Sequence, residues 1–325
     1  VVPFERLFPR QKHQGFKRPH LDLDIGYAMA APFLNIIAIT VGIFIGIVSL
    51  AWIPGLLIAP YVAMIPSQYK LIVGILLFDM TNYWAHRFYH EVPVLWKFHS
   101  IHHSTEHMDW VSGFRGHPFD GTLIVPAIFF LIAAGFPNEQ VGFLAVFQIV
   151  FGLFLHANVR FRFKIFDRFI MTPEFHHWHH SNEEDAIWTN YSTFLPIWDM
   201  LFGTYFMPKG DRRPKIYGVD ELVPMTMAEQ LKYPFEGVKN PLLLLRHPLR
   251  SLWGVIRHPL RTIGRGFRFI GRMIKGYLLI MKLMLRSATR PWGEKFPDSS
   301  RHIERAEGYS RKNKISVDVI ESVEI

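Results

Sequence analysis

Residues 25–69 run for 45 positions without one Asp, Glu, Lys or Arg. No buried helix of a soluble domain needs so long an uncharged run, whereas a bilayer crossing takes about 20 apolar residues. The rest of the chain agrees: half of its residues are hydrophobic, only 19% are charged, and mean hydropathy is +0.13. That composition excludes intrinsic disorder for most of the chain and indicates an all-α, polytopic membrane protein.

Breaks in the apolar pattern divide the chain. Residues 27–50 are long enough to span, and Trp52-Ile53-Pro54-Gly55 ends them. Residues 55–65 are apolar but short, which suits a re-entrant or interfacial piece closed by Pro66. Residues 68–89 form a second span, and 121–136 with 139–155 form a hairpin turning at Pro137-Asn138. Lys and Arg are absent from 51–66 and 137–140, but they crowd the N-terminal arm, the 86–119 connection and everything after Arg160. The positive-inside rule then predicts about four spans with both termini in the cytoplasm. The arm carries Arg6, Arg10, Lys12, Lys17 and Arg18 without an apolar core, so it does not read as a signal peptide.

The net charge of +9 is unevenly placed: residues 237–293 hold 12 Lys+Arg and no acid. Bulky apolar residues alternate with those cations, which favours a membrane-surface segment over a nucleic-acid site. Leu245-Arg246-His247-Pro248-Leu249-Arg250 recurs eleven residues on as Ile256-Arg257-His258-Pro259-Leu260-Arg261. Eleven residues are close to three helical turns, so both units would face one way, and their prolines favour short helices over one rod. The tail, 294–325, is polar, with a strand expected only at 315–325.

With no cysteine, disulfides, thiolate metal sites and cysteine nucleophiles are excluded. Histidine is the abundant ligand type: 12 of 17 lie between His86 and His180. His86 with His90, His99 with His102 and His103, and His176 with His179 and His180 are spaced so that a helix presents each set on one face. His156 ends the fourth expected span. Under the four-span topology all these groups converge at the cytoplasmic boundary, which suits a metal cluster. Eight to ten imidazoles are too many for one ion, so two metals are expected. His177 turns about 100° away from His176 on a helix and so belongs behind the ligands rather than among them. His107 reads as a loop residue, and His13, His20, His247, His258 and His302 as surface residues. Asp79 is the one acid inside an expected span, seven residues before His86, and is a candidate acceptor for an imidazole N–H. Asn158 is expected to support the ligands in the same way. Trp84, Trp96, Trp110, Trp178 and Trp188 suit an interfacial belt, and only some of them could line a substrate channel.

These groups resemble those of the fatty acid hydroxylase/sterol desaturase superfamily. The likeness is carried by Asp79-Met80-Thr81-Asn82-Tyr83-Trp84-Ala85-His86-Arg87-Phe88-Tyr89-His90, by Leu95-Trp96-Lys97-Phe98-His99-Ser100-Ile101-His102-His103-Ser104, by Arg115-Gly116-His117-Pro118, by His156-Ala157-Asn158 and by Pro173-Glu174-Phe175-His176-His177-Trp178-His179-His180. It covers about residues 70–210. The resemblance implies a cytoplasmic cap holding two iron ions and O2-dependent hydroxylation or desaturation of a lipid. Electrons would come from an external donor of cytochrome b5 or ferredoxin type. It also implies residence in the bacterial inner membrane or the endoplasmic reticulum. Position by position, His86, His90, His99, His102, His103, His176, His179 and His180 match the family's ligands, while His156 and His117 stand where members supply further histidines. The expected division is then a basic arm (1–26), a catalytic domain (27–210), a connection (211–236), a basic amphipathic segment (237–293) and the tail. The competing reading is a non-enzymatic membrane metal binder or transporter, which would carry ionisable residues near the bilayer midplane.

Overall fold

The computed structural model describes residues 1–12, 14–15, 17–48, 52–120, 124–160, 166–236 and 259–292. Among these the chain is helical, with two isolated β-bridges, Pro9–Val159 and Ser181–Tyr217, and no strand. The first repeat unit and the polar tail lie outside the described residues.

After a short arm helix, α1 (Val2–Leu7), comes α2 (Leu21–Val48). It begins six residues before the expected span, because Asp22 and Asp24 favour the positive end of a helix and count against a span only when composition is read alone. Helices α3 (Ile53–Ala63), α4 (Ser67–Glu91), α5 (Pro93–His103), α6 (Ile124–Ala133) and α7 (Asn138–Leu155) follow. Helix α6 packs against α2, α3 and α4, and α7 against α4 and α6. Gly42 and Gly46 sit one turn apart on α2 and let α6 approach closely: a methyl added at Gly46 would lie 2.8 Å from the Phe129 ring.

By length and composition, α2 and α7 are long and apolar enough to cross a membrane. They are not the inner helices of a soluble core. Phe33, Ile36, Ile43 and Phe44 on α2, and Phe143, Val146, Ile149 and Val150 on α7, are exposed. So many bare apolar side chains on helices of this length indicate lipid contact, and the protein is a membrane protein. Helix α4 is also long, but its second half, from Phe78 to Glu91, is buried and carries Asp79, Arg87 and Glu91.

The remaining helices are α8 (Pro173–His179), α9 (Ile197–Phe202), α10 (Met227–Gln230) and α11 (Pro259–Ala288). Helix α11 is one continuous rod of 30 residues; the stretch between the two repeat prolines lies outside the described residues. Pro259 stands at its first position, where a proline lacks no needed N–H.

The N-terminal arm is pinned to the histidine-bearing loops. Arg18 pairs with Asp24 (2.7 Å) and Asp109 (2.5 Å), Arg10 with Glu174 (3.3 Å), and Glu5 accepts the amides of Trp110 and Asn158. Cations that mark topology in the sequence are therefore also structural ties.

Candidate metal centre

Three short stretches of helix bring the histidines together. Val92 is extended because a residue before proline avoids the helical region, so α4 stops and α5 restarts at Pro93 after a one-residue corner. His86 and His90 end the first helix, and His99, His102 and His103 lie on the next. Helix α8 is started by Thr172, whose hydroxyl accepts from the Phe175 amide, and by Pro173; it presents His176 and His179, with His180 at its C-cap. His156 caps the C-terminal end of α7.

The imidazoles form two adjoining groups. One contains His86, His90, His99, His103 and His179; the other contains His102, His156, His176 and His180. Within each group one nitrogen per ring lies within 4.8 Å of the others. His103 and His180, one from each group, stack at 4.1 Å between ring centroids. Nine of the ten histidines singled out as ligand candidates are thus gathered.

Proton positions follow from the partners. The Nδ1–H of His86 donates to the Tyr191 carbonyl (2.8 Å), that of His102 to Arg115 (2.9 Å), that of His156 to Gly152 (2.7 Å) and that of His179 to Thr189 (2.8 Å). A carbonyl only accepts, so these rings carry their proton on Nδ1 and a lone pair on Nε2. His99 Nδ1 donates to Asp120, 3.0 Å from both carboxylate oxygens. Burial alone would raise the Asp120 pKa, but the His99 ring beside it holds it below the usual carboxylate range. Burial, reinforced by His99, pushes His102 down to about 4, and burial carries His103, His176, His179 and His180 well below the ordinary imidazole value. These rings are neutral, as metal ligands must be.

That arrangement brings ring nitrogens face to face. His86 Nε2 faces His99 Nε2 at 3.1 Å in the first group, and His102 Nε2 faces His156 Nε2 at 3.1 Å in the second. In the second pair neither ring has a proton to give, because each already donates its Nδ1–H to a carbonyl. A shared cation resolves the conflict: two nitrogens each about 2.1 Å from one ion, at bond angles of roughly 90–110°, lie about 3.0–3.4 Å apart. The buried Nε2 atoms of His90, His103, His179 and His180 have no hydrogen-bond partner, which costs about 1–3 kcal/mol each if left so. The donor set therefore fits one metal in each group.

A loop that the sequence reading did not single out builds much of this site. Trp188 (φ 63°) and Asn190 (φ 62°) are left-handed, and between and after them the carbonyls of Thr189 and Tyr191 turn to His179 and His86. Asn190 is held by the Phe175 and Phe206 carbonyls, and buried Asp199 takes the amides of Tyr191 (2.7 Å) and Ser192 (2.9 Å). Asp120 was also missed. Its one signal was position, as the last charge before the uncharged run 121–138. A cavity opens beside the first group, walled by Trp96, Ile187, Trp188 and Val219 and reaching His90 and His103.

Four expectations need correction or relocation. Asp79 meets no imidazole: it accepts from the amides of Phe194 (2.8 Å) and Leu195 (2.9 Å) and from Trp198 Nε1 (3.0 Å). Seven residues along a helix is about 10 Å, too far to reach His86, while the loop amides lie alongside. Asn158 turns instead to the arm, its Oδ1 accepting from the Gln11 amide (2.9 Å), because the chain leaving α7 bridges to Pro9. His117 stands outside both groups; its Nε2–H donates to Leu231 O (3.2 Å) and its Nδ1 accepts from the Phe119 amide (3.0 Å), within a ring of Phe98, Phe119 and Phe235. The tryptophans do not form a single belt. Trp178 is fully buried, and Trp96 and Trp188 meet edge to face at 5.0 Å, each 5.2 Å from His90. His177 does turn off the ligand edge, bonding Tyr217 Oη (3.0 Å) and Ala157 O (3.1 Å).

Residues 71–204 match the family described as fatty acid hydroxylase. Among curated relatives, the chain is 33% identical over 172 residues to the ornithine lipid hydroxylase OlsE of Rhizobium tropici, covering 52% of this chain and 51% of that protein. It is 29% identical over 181 residues to the alkylglycerol monooxygenase of Danio rerio, covering 51% of this chain and 39% of that one. A very-long-chain aldehyde decarbonylase, GL1-9 of Oryza sativa subsp. indica, is 25% identical over 146 residues, covering 44% and 56%. The chain thus spans about half the length, or less, of the first relatives it matches. No solved structure matches it.

Proposed function

Since residues 71–204 match the family described as fatty acid hydroxylase, we propose that this chain is an O2-dependent membrane oxidoreductase of that family that hydroxylates or desaturates a lipid at two iron ions. The observation that carries this reading is the opposed pair of Nε2 lone pairs of His102 and His156 in the second histidine group, a contact that a bound cation makes favourable. The printed names of the relatives, a lipid hydroxylase and a monooxygenase, support the reaction class.

When bound, iron would supply the reduction of O2 and the attack on an unactivated C–H bond. The protein's own residues hold the site ready. His86, His90, His99, His103 and His179 would hold one ion, and His102, His156, His176 and His180 the other. Asp120 and the carbonyls of Gly152, Arg115, Thr189 and Tyr191 keep the protons on Nδ1, so every Nε2 they control stays a donor to metal. Trp96 and Trp188 wall the cavity beside His90 and limit water there.

In the same reading α4, about 37 Å long, and the uncharged run 121–138 that contains α6 cross the membrane with α2 and α7. The histidine groups then lie at the cytoplasmic face, supported by the lack of Lys and Arg in 51–66 and 137–140. A lipid chain reaches the centre from the bilayer, and a cytochrome b5- or ferredoxin-like donor supplies electrons from the aqueous side. A transporter would place its site midway along the spans; here the histidines gather where α4, α5, α7 and α8 end or turn.

The test is metal analysis of the purified full chain, then O2 uptake and lipid mass spectrometry with a reductant. Two irons per chain, and a lipid that gains one oxygen or loses two hydrogens, are expected. One zinc and no turnover overturn the proposal.

A further inference from the structure

Helix α11 leaves most of its surface uncovered. Its last turn and the residues just after it touch the body: Ser287 is buried and its carbonyl accepts from Arg87 Nη2 (3.2 Å), Arg290 pairs with buried Glu91, and Trp292 Nε1 donates to Met200 O (3.3 Å). Glu91 also pairs with Arg87 (3.0 Å) one turn back on α4. The helix is thus fastened to the end of α4, next to His90, by a buried Arg–Glu–Arg set. From Phe267 onward most of the residues whose side chains are described are exposed. Phe267, Ile270, Ile274, Leu278, Met281 and Leu285 are all exposed, and their steps of three and four make one stripe along the helix. Arg268, Arg272, Lys275, Lys282 and Arg286 form a second exposed stripe, roughly 120° around the axis at 100° per residue.

We propose that α11 lies in the plane of the membrane on an anionic lipid surface, with the first stripe in the acyl layer and the second meeting lipid phosphates. Three features select this occupant. The helix carries no acid between Pro259 and Ala288, so its charge complements a negative surface and no other sign. Cations beside, rather than opposite, the apolar stripe sit at headgroup depth when that stripe is immersed. The body it is fastened to already presents bare apolar spans, α2 and α7, so a bilayer is within reach of the same molecule. The fastening gives the contact a consequence, because the end of α4 is held between the membrane-seated helix and the histidine groups.

The chain has no cysteine, so single cysteines can be placed and spin-labelled in the full protein without background. Labels at 270, 274, 278 and 281, and at 272, 275 and 282, would be compared in nanodiscs of phosphatidylcholine with and without phosphatidylglycerol. Collision with O2 reports lipid, and collision with a water-soluble nickel chelate reports water. With phosphatidylglycerol the first set should be open to O2 and shielded from nickel, the second set the reverse, and high salt should weaken the contrast several-fold. The combined variant R268Q/R272Q/K275Q/K282Q should lose the dependence on phosphatidylglycerol. A label at Ile149, on the lipid side of α7, shows in the same sample that the variant is inserted and folded. Three results overturn the proposal: nickel access at every α11 position, shielding from both reagents (a second copy or the protein's own core covers the stripe), or an equal pattern with and without anionic lipid.

Discussion

The histidine-bearing half of the molecule and its apolar spans are held together in opposite ways. Around the histidine groups the supporting loops and five of the rings are fixed by named hydrogen bonds, while Nε2 of His90, His103, His179 and His180 has no partner. Asp199 holds two loop amides, Asp79 two more and a tryptophan, and five imidazoles donate from Nδ1 to fixed acceptors. Along α2 and α7 the outward side chains are interchangeable apolar ones, and the pairings of Asp24, Gln140 and Gln148 lie on their protein-facing sides. A pairing is lost all at once when one atom goes, whereas lipid contact depends on total apolar area and hardly notices which side chain supplies it. The two halves should therefore tolerate substitution very differently.

The largest effect is expected at a lone-pair contact. His102→Ala removes one ring of the opposed pair in the second group. Metal content should fall toward one ion per chain, with turnover reduced well beyond the roughly 100-fold that a lost supporting hydrogen bond costs. Iron analysis with O2 uptake reads both, and retained turnover would mean that the second group is not a metal site. Next comes Asp199→Ala, which strands the amides of Tyr191 and Ser192 in a buried loop. At about 1–3 kcal/mol for each orphaned group, a loss of roughly 2–6 kcal/mol is expected in detergent or denaturant unfolding. Because that loop holds His86 and His179, metal retention should weaken too.

Asp120→Asn should be milder. The amide can still accept from His99, but without charge, so metal affinity should drop about 10–100-fold in a chelator competition while the fold survives. Smallest of all is Ile149→Leu on the lipid face of α7, expected within about 0.5 kcal/mol in the same unfolding assay and with unchanged metal content. Should this change cost as much as Asp199→Ala, α7 would be packed against protein rather than lipid and the contrast between the two halves would collapse.

How much of this was legible beforehand follows the same division. Helical spacing and hydropathy are local, so they were enough to locate α4 and α7 to within a residue or two and to show which edges of α5 and α8 present histidine. Spacing likewise turned His177 away from its neighbours, as the bonds to Tyr217 and Ala157 show. Asp79 was legible as a buried acid but not as the anchor of the Phe194–Leu195 loop, because its partners lie 115 and 116 residues away in the chain. Asp120 and the Trp188–Tyr191 loop carry no periodic signal and were missed for the same reason.

What the order of amino acids determined on its own was the solvent and the ligand type: a 45-residue uncharged run demands lipid, and histidine without cysteine leaves imidazole as the abundant donor. Periodicity could not divide nine imidazoles between two groups, since His102 and His103 are neighbours in the chain yet belong to different ones. That division, the tautomer of each ring and the exclusion of His117 were decided by tertiary structure. A side chain's direction follows from local backbone geometry, but its hydrogen-bond partner is whatever a distant segment brings within about 3 Å.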